Sequence, residues 1–182
     1  MNLQKQADRL LYDFGLLKII EAHGTVHIVG SYKMKMMIWN DLDINIESKN
    51  HSLEGIYRLA GDINDIVKPY RFEGIYNNKD DSYFYGCETN VSGERWNIDI
   101  WLRNKSDIIK TEMYCDNIIQ QVSADPNLGN NIMTIKKELI KMGLYGIDKS
   151  IKRHYHSNEI YDAVLNDNIQ NIDEFIKKYP KQ

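Results

Sequence analysis

The sequence predicts an α+β fold: a small mixed β-sheet with flanking helices, followed by a C-terminal helical segment. Three observations carry this. Residues 41–47 and 95–102 alternate apolar and polar side chains with the period of a half-buried strand. Residues 3–22 and 53–67 place apolar residues at helical spacing. From Ser106 onward only helical patterns remain. The chain therefore divides into a core over residues 1–104 and a helical segment over 105–182 that packs on it.

Each element has a local cause. Leu3, Ala7, Leu10, Leu11, Phe14, Leu17 and Ile20 form one helical stripe that Gly24 ends. Val26 to Val29 is a short strand, and Lys33 to Ile38 is expected to be a short helix or helical turn. In the strand from Asp41 to Glu47, Leu42, Ile44 and Ile46 point one way and Asp41, Asp43, Asn45 and Glu47 the other. Ser52 caps a helix over 53–67 whose expected buried stripe is Leu53, Ile56, Tyr57, Leu59, Ile63 and Ile66, and Lys68-Pro69 closes it. Strands over Tyr70–Tyr76 and Tyr83–Thr89 flank the turn Asn77 to Asp81, and a second turn at Val91–Glu94 leads into the strand from Arg95 to Leu102. Helices follow at about 106–123, 127–142, 157–166 and 171–179, with Ser106, Ser157 or Asn158, and Asn171 as caps.

Composition narrows the function classes. With 182 residues the chain can bury a sizeable core, and its 42% hydrophobic and 27% charged fractions are ordinary for a globular protein. With a net charge of -3 nothing marks a general nucleic-acid-binding surface, although a small basic site can hide in a near-neutral total, so nucleic acid is disfavoured and not excluded. Cys87 and Cys115 make neither a metal motif nor a disulfide framework and are read as small buried residues in a reducing compartment. No apolar run reaches the length of a membrane span, and residues 1–6 lack the apolar core of a signal peptide, so a cytoplasmic protein without a membrane partner is expected.

The chemistry-bearing residues lie in two places. Gly30-Ser31 ends an apolar strand, where glycine lets the backbone approach a phosphate and Ser31 and the following N–H groups can donate to it. Lys33 and Lys35 follow and can neutralise triphosphate charge. Asp41 and Asp43, two apart on a strand, share a face, and Asp99 sits on a strand with the same alternation. If those strands are neighbours, the three carboxylates can hold Mg²⁺ with substrate phosphates. Two such ions would serve an in-line displacement at phosphorus. Acids crowded on one strand face oppose stability, which favours a metal-binding role.

Val29-Gly30-Ser31, Asp41-Leu42-Asp43-Ile44 and Ile98-Asp99-Ile100 together resemble the signature of the DNA polymerase β-type nucleotidyltransferase superfamily. Within it the chain is similar in kind to small bacterial nucleotidyltransferases that modify lincosamide and aminoglycoside antibiotics. The motifs cover roughly residues 25–102. The resemblance implies that Gly30 and Ser31 contact the nucleoside triphosphate and that Asp41 and Asp43 bind Mg²⁺. It implies that Asp99 is a third metal ligand or the base that takes the acceptor's proton. The run Tyr32-Lys33-Met34-Lys35-Met36-Met37-Ile38-Trp39 departs from the small and basic residues usual after Gly-Ser. Tyr32 and Trp39 there are read as packing, with base stacking as the alternative.

Other residues carry two readings each. His27 reads as a satisfied core or edge histidine. His154-Tyr155-His156 reads as a helix entry, with reach into the cleft as the alternative. Arg95 and Arg103 either touch phosphate or are simply exposed. Glu73, Asp80, Asp81, Glu88 and Glu94 are a solvated acidic region, or an attraction for a cationic acceptor. The expected activity is Mg²⁺-dependent transfer of a nucleoside monophosphate, AMP from ATP in the favoured form, to an acceptor hydroxyl on a small molecule such as an antibiotic, with release of pyrophosphate. The alternatives are a toxin–antitoxin nucleotidyltransferase acting on a protein or tRNA, and a non-catalytic nucleotide-binding member.

Overall fold

The structure, a computed structural model, describes residues 2–146 and 155–181. It comprises two compact units, Met1–Cys115 and Asp116–Gln182. The helix α5 (Lys105–Ala124) begins directly after the core's last strand and contributes residues to both units.

The first unit is built on a five-stranded sheet in the order β1-β2-β5-β4-β3. Its strands are β1 (Gly24–Val29), β2 (Asp41–Ser48), β3 (Arg71–Asn77), β4 (Ser82–Val91) and β5 (Glu94–Leu102). β2 and β5 run parallel, whereas every other neighbouring pair is antiparallel. The parallel pair needs a long crossover. The helix α4 (Leu53–Val67) and the β3–β4 hairpin supply it. Leu42, Ile44, Ile46, Trp96, Ile98, Ile100 and Leu102 form one buried sheet face, packed with residues of the N-terminal helices and α4.

Ser52 caps α4 as expected, its side chain accepting from the Gly55 backbone N–H. The buried stripe is rotated from the expected one. Ile56, Leu59, Ala60, Ile63 and Val67 are buried, while Leu53, Tyr57 and Ile66 are exposed. Ala60 lies in the core cluster with Ile56, Leu59, Ile63 and Val67, whereas Gly55 lets the helix start pass close to the Asn50 backbone, 2.0 Å from where a Cβ would stand.

The N-terminal stripe is not one helix. It divides into α1 (Leu3–Asp8), a π-helical turn over Arg9–Asp13, and α2 (Leu16–His23), with Gly15 left-handed at the break. Apolar spacing survives such a break, so periodicity alone conceals it. Gly24 ends α2 as expected, standing at its C-cap, and in the same step opens β1. The short helix expected over Lys33–Ile38 is instead α3, a single turn over Gly30–Lys33.

In the second unit α6 (Pro126–Lys141), α7 (Ser157–Leu165) and α8 (Ile172–Lys178) follow the expected order. Asn171 caps α8. Asn104, not Ser106, caps α5, accepting from the Asp107 N–H at 3.2 Å. His156 occupies the N-cap of α7 in place of Ser157 or Asn158. Neither cysteine is in a disulfide, and both are buried. Among the described residues no helix is long and apolar enough to cross a membrane.

Candidate active site

Strand register brings the three acids together. In the parallel pair Asp43 lies opposite Asp99, and Asp41 lies opposite Asn97. Partners in register share a face. All three carboxylates therefore project from the sheet face opposite the Ile98 and Ile100 core. Neighbouring strands are about 4.8 Å apart, so Asp43 and Asp99 stand side by side.

Two glycines make room for them. At Gly30 φ is +64°, and a Cβ there would stand 2.0 Å from Asp43 Oδ2. Only glycine satisfies both conditions, so the Gly30-Ser31 turn is fitted directly against the Asp43 carboxylate. Gly86 faces Asp99 across β4 and β5. A Cβ at Gly86 would lie 2.6 Å from the Phe84 ring and 3.3 Å from Asp99 Oδ1. Asp41 is oriented by Asn97, whose Nδ2 donates to Asp41 Oδ1 at 2.9 Å. The alternation of β5 already sets Asn97 beside Asp99, and a glycine inside a strand signals close approach. Neither was singled out from sequence, because their value depends on which strands pair.

Next to the acids lies a charged row. Asn97 pairs with Glu88, and Glu88 with Arg71, so Asp41, Asn97, Glu88 and Arg71 cross four strands on one face. Glu88 takes Arg71 Nη1 at 3.2 Å, Arg95 Nη2 at 2.5 Å and the Tyr70 hydroxyl at 3.0 Å. Burial alone would raise its pKa, but Arg95, Tyr70 and Arg71 together hold it below the ordinary carboxylate value.

The other candidates separate. Ser31 and Lys33 stay in the α3 turn beside Asp43. Lys35 is exposed at φ 57° and lines a cavity of about 350 Å³ with Asn2, Leu3, Gln4 and Met37. Tyr32 packs against the core and donates to Asp8 at 2.7 Å, and burial followed by the Asp8 bond raises its pKa, so it is a packing residue. His27 Nδ1 meets Glu112 at 3.0 Å, whereas its Nε2 is buried without a partner among the described residues, so it is half satisfied rather than satisfied. Arg103 stacks on Trp101 at 4.5 Å. His156 is exposed, with its backbone N–H bonded to Glu159, and His154 lies outside the described residues.

Among the described residues, no three His, Cys, Asp or Glu side chains form a preassembled metal cage. The donor set nevertheless suits Mg²⁺. Three carboxylates share a face, two of them on one cross-strand row, with glycines clearing the space around both. Hard oxygen donors with room for substrate phosphates are what that ion takes.

No family model matches the chain, and no curated protein matches it. Solved structures do. The poly(A) polymerase complex GLD-2–GLD-3 aligns at a TM-score of 0.64 and 14% identity, over 100% of this chain and 55% of that one. A cytoplasmic RNA terminal U-transferase aligns at 0.59 and 14% identity, over 89% and 47%. The Cid1 poly(U) polymerase with MgGTP bound aligns at 0.61 and 16% identity, over 90% and 49%. The chain spans about half the length of these structures. Its fold is the one that these polymerases and the U-transferase share.

Proposed function

We propose that the chain is a nucleotidyltransferase core that transfers a nucleoside monophosphate, AMP in the favoured form, from an NTP to an acceptor hydroxyl. The observation that carries this is Asp43 and Asp99 on one cross-strand row, Asp41 two residues away, and the Gly30-Ser31 turn fitted against Asp43. Asp41, Asp43 and Asp99 would hold Mg²⁺, two ions in the fullest form, which when bound supply charge neutralisation at the triphosphate and a lowered barrier at phosphorus. The Gly30-Ser31 turn and Lys33 position the triphosphate. The acceptor oxygen attacks the α-phosphorus, the bond to the β-phosphate oxygen breaks, and pyrophosphate leaves. Asp99 either takes the acceptor's proton or completes the metal ligands. A pH–rate profile of Asp99→Asn separates these roles.

The solved structures that share the fold are poly(A) and poly(U) polymerases and an RNA terminal U-transferase, which favours the 3′-hydroxyl of an RNA as acceptor. A cationic antibiotic is the second reading, motivated by the acidic middle region. Its support is thinner than the sequence suggests. Glu88 is engaged by two arginines, Asp80 by Ser82, and Asp81 by His51 and Tyr76. The test is labelled NTPs with Mg²⁺ against pools of RNA and antibiotic acceptors, with Asp43→Asn as the blank. Label on one pool that vanishes in the variant names the acceptor class. Equal labelling by both proteins overturns the proposal.

A further inference from the structure

Arg71 and Arg95 are held on the same sheet face as the acids, yet about half or more of each side chain stays in water. Their side chains are 60% and 47% exposed, and the Glu88 side chain that joins them is only 10% exposed. Arg71 lies in register with Glu88, Glu88 with Asn97, and Arg95 is two residues before Asn97, so all project from one face. Tyr70 completes the group. Its hydroxyl donates to Glu88, its ring lies 6.0 Å from the Arg95 guanidinium, and the residue is 53% exposed.

A surface ion pair contributes little to stability, and one glutamate needs only one arginine. Two arginines on one carboxylate leave guanidinium N–H donors that Glu88 does not use. A guanidinium fork suits phosphate oxygens, and an exposed ring beside it suits a nucleobase. Aromatic and cationic groups together are how single strands are gripped. The row begins at Asp41 and runs through Asn97, so Glu88 lies about two strand spacings, roughly 10 Å, from Asp41 and Arg71 about three, roughly 14 Å.

We propose that Tyr70, Arg71 and Arg95, organised by Glu88, form a subsite for a single-stranded polynucleotide, gripping phosphodiesters and a base of the acceptor behind its reacting end. The word acceptor rests on the transfer reading above; the binding itself does not. Glu88 is a positioning residue that fixes the two guanidiniums without touching the strand.

The experiment measures binding directly. A short fluorescein-labelled single-stranded RNA of mixed sequence is titrated with wild type, with Arg71→Gln/Arg95→Gln and with Asp43→Asn, at several salt concentrations and with thermal midpoints recorded. Wild type and Asp43→Asn are expected to bind alike. The double variant should lose about tenfold in affinity, and its salt dependence should fall by about 1.4 for two lost phosphate contacts. Arg71→Gln alone, at the more exposed position, should lose part of this without a change in thermal midpoint. Glu88→Gln should weaken binding less than the double variant while keeping the salt dependence. Inorganic tripolyphosphate is titrated in parallel. If it weakens in the double variant while RNA does not, the pair serves the NTP and the proposal fails. It fails equally if wild type does not bind RNA or the double variant binds it unchanged. Arginine-dependent binding without any nucleotidyl transfer would remove the transfer reading and leave this subsite standing.

Discussion

Strands β2 and β5 present two faces that differ in every respect that matters. On one, Leu42, Ile44, Ile46, Ile98, Ile100 and Leu102 are at most 1% exposed. On the other, Asp41, Asp43 and Asp99 stand together with Asn97 between the strands and glycines around them. The first face is apolar area removed from water, the main favourable term in folding. The second places like charges side by side, which opposes folding. A strand alternates faces every residue, so the same backbone secures the fold on one side and displays the carboxylates on the other. Because the buried face holds the register, the acids stay together despite their repulsion.

That contrast makes a mutation's effect depend on parity along the strand. Asp43→Asn should reduce transfer by on the order of 10³-fold, since several kcal/mol of transition-state stabilisation pass through these carboxylates. Its thermal midpoint should hold or rise as repulsion is relieved. A large fall in midpoint with activity retained would overturn the division of labour. Ile98→Ala, one residue from Asp99, should do the reverse. Urea unfolding should show a loss of about 2–5 kcal/mol for this fully buried side chain, with kcat of the folded protein little changed.

Gly30→Ala sits where the two effects meet. The left-handed backbone should cost about 1–2 kcal/mol. The Cβ, built 2.0 Å from the Asp43 carboxylate, should displace that group and cost about 10²-fold in rate. Activity near wild type would mean that the turn and Asp43 move independently. The smallest effect concerns pH. Because Glu88 is held below its ordinary pKa, its contribution is present above the unfolded carboxylate pKa and is lost as pH falls through the folded value. Between about pH 5 and 3 the thermal midpoint of wild type should therefore fall more steeply than that of Glu88→Gln. Parallel curves would remove Glu88 from the acid response.

Much of this could be read along the chain. The alternation of residues 41–47 and 95–102 identified both strands and the side on which each acid lies, since period two is a property of the backbone itself. Ser52 marked the start of α4, and Gly30-Ser31 marked the turn. Other features could not be read in this way. The break at Gly15 hides within an unbroken apolar spacing. The buried stripe of α4 runs through Ala60 and Val67 rather than Leu53, Tyr57 and Ile66, because which arc is covered is set by the elements packed against the helix and not by hydrophobicity alone.

The sequence by itself determined the two alternating strands, the three acids and the Gly30-Ser31 turn, because each depends on residues a few positions apart. Only the tertiary structure decided that β2 and β5 are parallel neighbours with Asp43 opposite Asp99, that Asn97 holds Asp41, that Gly86 clears space for Asp99, and that Glu88 gathers Arg71 and Arg95 beside them. Those pairings join residues from 7 to 56 positions apart. They are fixed by burial of the opposite face and by the crossover through α4, which no local pattern encodes.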